Sequence, residues 1–146
     1  MTAQTAVCSH RKPLSNYRTM QVNDFDAVHF GVHIEDIDFA GQQLAGHTDI
    51  TIKATSVPVT NVQLDLLDFT VDSVLSGAIT NTWSYNDSIL NVNLNPALAV
   101  GDSLVISVYY HGTPSQDASG WGGFYFSGSY AFNLGVGFDA DPHNYG

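Results

Sequence analysis

An all-β fold is what this sequence predicts, and three observations carry that expectation. Short apolar segments alternate with polar residues at the two-residue period of strands, and they recur about every ten residues. Thirteen of the fourteen acids are Asp, and 13 Gly sit among many Asn, Ser and Thr, a mixture that favours turns and avoids helix interiors. Third, Leu104–Tyr110 reads LVISVYY, with Gly101-Asp102 before it and His111-Gly112 after it. An apolar run bounded by turns predicts a strand buried on both faces, around which the others pair. The architecture expected is a β-sandwich or a curved, saddle-like sheet of about seven to nine mostly antiparallel strands.

The elements follow in chain order. Residues 1–25 mix Arg, Lys, Pro and Asn without a period and read as an extended lead-in, with Tyr17 and Met20 as anchors. A single β domain is expected over 26–146. In its first strand Val28, Phe30, Val32 and Ile34 point one way, and His29, Gly31, His33 and Glu35 the other. Asp36 to Gly46 reads as a turn or loop. Ile50, Ile52 and Ala54 form the next inward row, and Pro58 interrupts it. Val62, Leu64 and Leu66 form a third row with Asp65 outward, and Phe69, Val71 and Val74 a short strand ending at Gly77. Trp83-Ser-Tyr85 and Ile89–Leu94 predict a hairpin closed by Asn86-Asp87, and Asn95-Pro96 ends it. After the central run, Gly112 to Gly123 is a loop. Phe124-Tyr-Phe126 and Tyr130-Ala-Phe132 close the domain as two short aromatic strands.

Charge narrows the function classes. Net charge is −10, and three of the four cations precede residue 20. A body this acidic repels phosphate backbones and anionic lipid, so neither nucleic acid nor a membrane is expected as partner. Cys8 is the only cysteine, which excludes an internal disulfide. Thr2-Ala3-Gln4 resembles the tail of a cleavage site, so an exported protein, secreted or periplasmic or at the cell surface, is expected, with its leader removed.

No motif for chemistry survives inspection. His29 and His33 on one strand stand roughly 13 Å apart, too far to share an ion. There is no H-E-x-x-H, no cysteine cluster and no calcium loop at Glu35, Asp36 and Asp38. Ser127 and Ser129 lack the flanking glycines of a nucleophile elbow. Catalytic and metal-ligating residues are therefore expected to be absent. Trp121, Phe124, Tyr125, Phe126 and Tyr130 suit core or domain-interface anchors, or else a sugar-stacking platform.

Several pieces occur in a familiar order: His29-Phe-Gly-Val-His-Ile-Glu, Leu64-Asp-Leu-Leu-Asp-Phe with Val71-Asp-Ser-Val, and Leu90-Asn-Val-Asn-Leu. Val105-Ile-Ser-Val-Tyr-Tyr-His-Gly and Gly123-Phe-Tyr-Phe-Ser follow. In this order the sequence resembles the amino-terminal β domain of the aminopeptidase N-like zinc peptidases, the gluzincin aminopeptidase family. The resemblance implies a saddle-shaped β domain packed on a thermolysin-like catalytic domain of the same polypeptide. That domain would carry the zinc, the H-E-x-x-H and the distal glutamate, downstream of Asp141-Pro-His-Asn-Tyr-Gly146. This part would then be a non-catalytic scaffold forming one wall of the cleft, with a peptide as the whole protein's substrate. The family's substrate-facing Gln precedes a Phe that Phe138 matches, and Gly137 stands in its place. Gly137, Phe138 and Asp139 are the substrate-facing candidates on that alignment. Phe124, Phe126, Phe138 and Tyr145 are the domain-interface candidates. The alternatives are a carbohydrate- or ligand-binding β module and a structural, adhesin-like one.

Overall fold

The computed structural model describes residues 24–115 and 123–133. Ten strands form there in chain order: β1 (Phe25–Asp38), β2 (Gln43–Ala54), β3 (Val59–Asp65), β4 (Thr70–Ser76) and β5 (Ile79–Thr80). β6 (Thr82–Tyr85), β7 (Ile89–Leu98), β8 (Ser103–Gly112), β9 (Phe124–Ser127) and β10 (Tyr130–Asn133) complete the set. They make a five-stranded sheet in the order β1-β2-β8-β4-β5, a three-stranded sheet β3-β7-β6 and a β9-β10 hairpin, all antiparallel. The fold is all-β, as the sequence predicts. Among the described residues no helix is long and apolar enough to cross a membrane.

The core lies between the two larger sheets. Ile50, Ile52, Val74, Ile106 and Val108 come from one face, and Val59, Val62, Leu90, Val92 and Leu94 from the other. Ile52, Val62, Val74, Leu90, Val92 and Ile106 are fully buried. Burying side chains of this size stabilises by about 1.5–3 kcal/mol each. Three strands cover five incompletely, and β1 takes an uncovered edge.

Four departures from the sequence reading have local physical causes. β8 is central, but it is buried on one face only. Ile106, Val108 and Tyr110 face the core, while Val105 is 43% exposed and Tyr109 is half-buried. Tyr and Val tolerate a half-wet surface, so an apolar run overstated the burial. The segment 36–46 is mostly strand: β1 runs to Asp38, and β2 starts at Gln43 after a four-residue turn. Gly46 lies inside β2, opposite Ile34. Glycine is required there because a Cβ would strike the backbone carbonyl of His33. Nor does Pro96 end β7, which continues to Leu98. Residues 94–97 loop out of the ladder between the Asn61↔Asn93 and Val59↔Leu98 pairs, where proline's missing donor costs no ladder bond.

The fourth departure concerns β1. A bulge at Val28 shifts the register so that Ala27 pairs with Ile52, and Phe30, Val32 and Ile34 pair with Ile50, Thr48 and Gly46. That row lies on the core side of the sheet, yet Phe30 is 56%, Val32 64% and Ile34 47% exposed. The alternation correctly marked the face. It did not reveal that nothing in the described chain covers it.

The β6–β7 hairpin forms as expected. Asp87 takes a positive φ of 66°, and Asn86 Oδ1 accepts from the N–H groups of Ser88 and Ile89. Beside its turn the Tyr85 hydroxyl donates to the Leu66 carbonyl (2.9 Å) and accepts from the Phe69 N–H (3.2 Å). Burial pushes the Tyr85 phenol above its ordinary value of 10.0, and the Asp87 and Asp68 carboxylates add to that, against the Phe69 hydrogen bond. A folded pKa raised above the unfolded one adds stability that is complete below pH 10 and is lost as pH rises through the folded value. Tyr85→Phe is therefore expected to cost about 0.5–1.5 kcal/mol at neutral pH. The variant's deficit should shrink in alkaline urea titrations.

Candidate functional site

Two surfaces stand out, on opposite faces of the β1–β2 hairpin. The first is an apolar trough on the core side. Its two adjoining hollows, about 370 and 430 Å³, share Thr48, Leu66 and Tyr110 as walls. Val32, Ile34, Phe69 and Phe124 line one, and Phe25, Ala27, Phe30 and Leu64 the other. The polar contacts in it are few: Thr48 Oγ1 and the Tyr110 hydroxyl lie 3.0 Å apart and satisfy each other. Asp65 and Gln63 stand among its lining, but most of the lining is apolar, which suits packing against a partner.

The second surface carries titratable groups. His33 of β1 pairs directly across the ladder with His47 of β2, and the imidazoles stack at 4.3 Å with an 8° tilt. Tyr109 of β8 stacks on the other face of His47 at 4.8 Å. His47 Nδ1 lies 2.8 Å from Glu35 Oε1, a contact made by the second bulge of β1, at Glu35. Asp49 Oδ1 accepts from Ser107 Oγ at 2.5 Å, and Asp49 Oδ2 lies 3.5 Å from His33 Nε2 and 3.9 Å from His47 Nε2.

Sequence reasoning compared His33 with His29 along one strand and so missed this group. Its signal was present in the alternation: His33 and Glu35 face the same way as His47 and Asp49. Only the register of β1 against β2 joins them.

Of the residues singled out from sequence, Gly137, Phe138, Asp139 and Tyr145 lie outside the described residues, as do Trp121, Cys8, Tyr17 and Met20. Phe124 and Phe126 are described. Both are half-buried, and Phe124 packs against the core. Their rings meet edge-on at 5.4 Å, and Phe126 meets Phe39 edge-on at 6.1 Å. Tyr125 stacks on Phe132 at 5.4 Å, and Tyr130 is exposed.

No protein-family model and no curated protein sequence matches the chain. Solved structures do. A mutant two-domain M1 zinc metallopeptidase bound to L-arginine aligns over 77% of this chain and 26% of its own, with 22% identity and a TM-score of 0.64. An M1 zinc metallopeptidase mutant from Deinococcus radiodurans aligns over 64% of this chain and 21% of its own, at 24% identity and a TM-score of 0.56. Leukotriene A4 hydrolase from Saccharomyces cerevisiae aligns over 68% and 16%, at 17% identity and 0.52. The chain thus spans about a quarter or less of the length of each. What the likeness establishes is the fold: the described strands share the architecture of a portion of the M1 zinc metallopeptidases, the enzymes to which the sequence resemblance points.

Proposed function

We propose that this chain is the amino-terminal scaffold domain of a zinc-dependent, aminopeptidase-like enzyme, and that its trough along β1 is where the catalytic domain docks. One observation carries the reading. An apolar row on the core side of the sheet, Phe30-Val32-Ile34, is about half exposed where a self-contained sandwich would bury it. The solved structures that share the fold are several times longer, which leaves room for a large neighbouring domain in such a polypeptide. The sequence has no H-E-x-x-H, so zinc and the hydrolytic groups would belong to the neighbour. The scaffold would hold one wall of the cleft and touch a peptide substrate only at its margin.

Two measurements test this. The purified chain should bind Nile red, an uncharged dye that the acidic body does not repel. Phe30→Ser with Val32→Ser should abolish the signal without lowering stability, since both side chains are exposed. The gene downstream of Gly146 should encode H-E-x-x-H. A dye-silent chain, or a gene that continues into another β module, would overturn the assignment.

A further inference from the structure

We propose that His33, His47 and Asp49 form a binding site for one divalent transition-metal ion of the zinc or copper type, which staples the edge strand β1 to β2. The site is separate from any zinc of a catalytic domain and does not depend on that assignment.

The donor atoms are already gathered. One ligand atom from each of His33, His47 and Asp49 lies within 4.8 Å of the other two. Around a tetrahedral zinc with bonds of about 2.0–2.2 Å, neighbouring donors stand about 3.3–3.5 Å apart. The His33–Asp49 separation of 3.5 Å already meets that, and the His47–Asp49 separation is 3.9 Å. Because the in-plane lone pairs of two stacked rings run parallel, the exposed His33 ring turns out of the stack for both histidines to reach one ion. Two imidazoles and one carboxylate suit zinc and copper better than the oxygen-seeking calcium or magnesium.

The surroundings orient each donor. An ionised Glu35 carboxylate can only accept, so in the neutral imidazole the His47 Nδ1 beside it carries the proton and Nε2 keeps its lone pair. A carboxylate behind a histidine is the usual outer-shell partner of a metal ligand. Ser107 Oγ ties up Asp49 Oδ1 and leaves Oδ2 for the ion. Tyr109 fixes the plane of the His47 ring from behind. Opposite Asp49 the chain has Gly31, where a Cβ would come to 3.4 Å from His33 Nε2. That position stays open for the ion and its waters. Three adjacent strands thus supply ligands and supports, and a net charge of −10 draws cations toward the protein. His111 and Asp72 make a similar pair at 2.9 Å but bring no third donor within reach among the described residues.

The test titrates zinc chloride into the untagged 146-residue chain by calorimetry and copper(II) by electron paramagnetic resonance. One zinc per chain is expected, with copper coupled to two imidazole nitrogens and a melting temperature that zinc raises and EDTA lowers. His33→Ala and His47→Ala should each weaken zinc tenfold or more and reduce the copper coupling to one nitrogen. Glu35→Gln, which removes only an outer-shell acceptor, should weaken zinc about 10–100-fold. His29→Ala and Cys8→Ser should leave binding unchanged. Metal-free melting of each variant checks that it is folded. A chain that binds no zinc, or a His33→Ala/His47→Ala double variant that is folded and still binds one, would overturn the proposal.

Discussion

Replacing Ile106 with alanine is expected to destabilise the domain by about 2–5 kcal/mol, a large part of the roughly 5–15 kcal/mol that holds a domain of this size. Ile106 has no exposed surface. It pairs with Ile50 in the middle of the five-stranded sheet, where removing three carbons leaves a cavity that neighbouring strands cannot collapse into. The adjacent Val105→Ala is the matched contrast. Its side chain faces the other side of β8 and is 43% exposed, so its cost should stay near 0.5 kcal/mol. Urea unfolding of the two variants measures the difference directly. Equal costs would mean that β8 is buried on both faces after all, and the sidedness described above would be wrong.

The second large effect is expected at Gly46. An alanine Cβ there would run into the His33 carbonyl and come to 3.2 Å from Ile34 Cα. Both obstacles are backbone, so no rotamer change relieves them, and the two arms of the hairpin must move apart. A cost of about 1–3 kcal/mol is expected, as for overpacking elsewhere. Because β1 is an edge strand, the damage should be local. Nile red binding by the trough and zinc binding by the His33–His47 pair should both change, while the urea m-value falls little. Gly31→Ala is the control for stability only, since its Cβ would meet nothing closer than 3.4 Å. If Gly46→Ala melted like the parent, the close approach of β1 and β2 at that point would be refuted.

How much could be read from the chain alone is clearest strand by strand. Ile50, Ile52 and Ala54 were identifiable as core because short-range alternation reports sidedness, and β2 is covered on that side. Phe30, Val32 and Ile34 show the same alternation, yet they stay about half exposed on the edge strand β1, where no described residue covers them. Periodicity states which way a side chain points and says nothing about what stands opposite. The bulges at Val28 and Glu35 were equally illegible, since one extra residue in a ladder leaves no local mark.

By itself the amino-acid sequence determined the all-β class, the positions of most strands and turns, and the acidic surface, because each depends on residues only a few places apart. Tertiary structure alone decided which apolar row would be left without a cover and which histidine would meet which carboxylate. Those contacts join His33 to His47 and Asp49 to Ser107, residues fixed together only when strand register and sheet order are set.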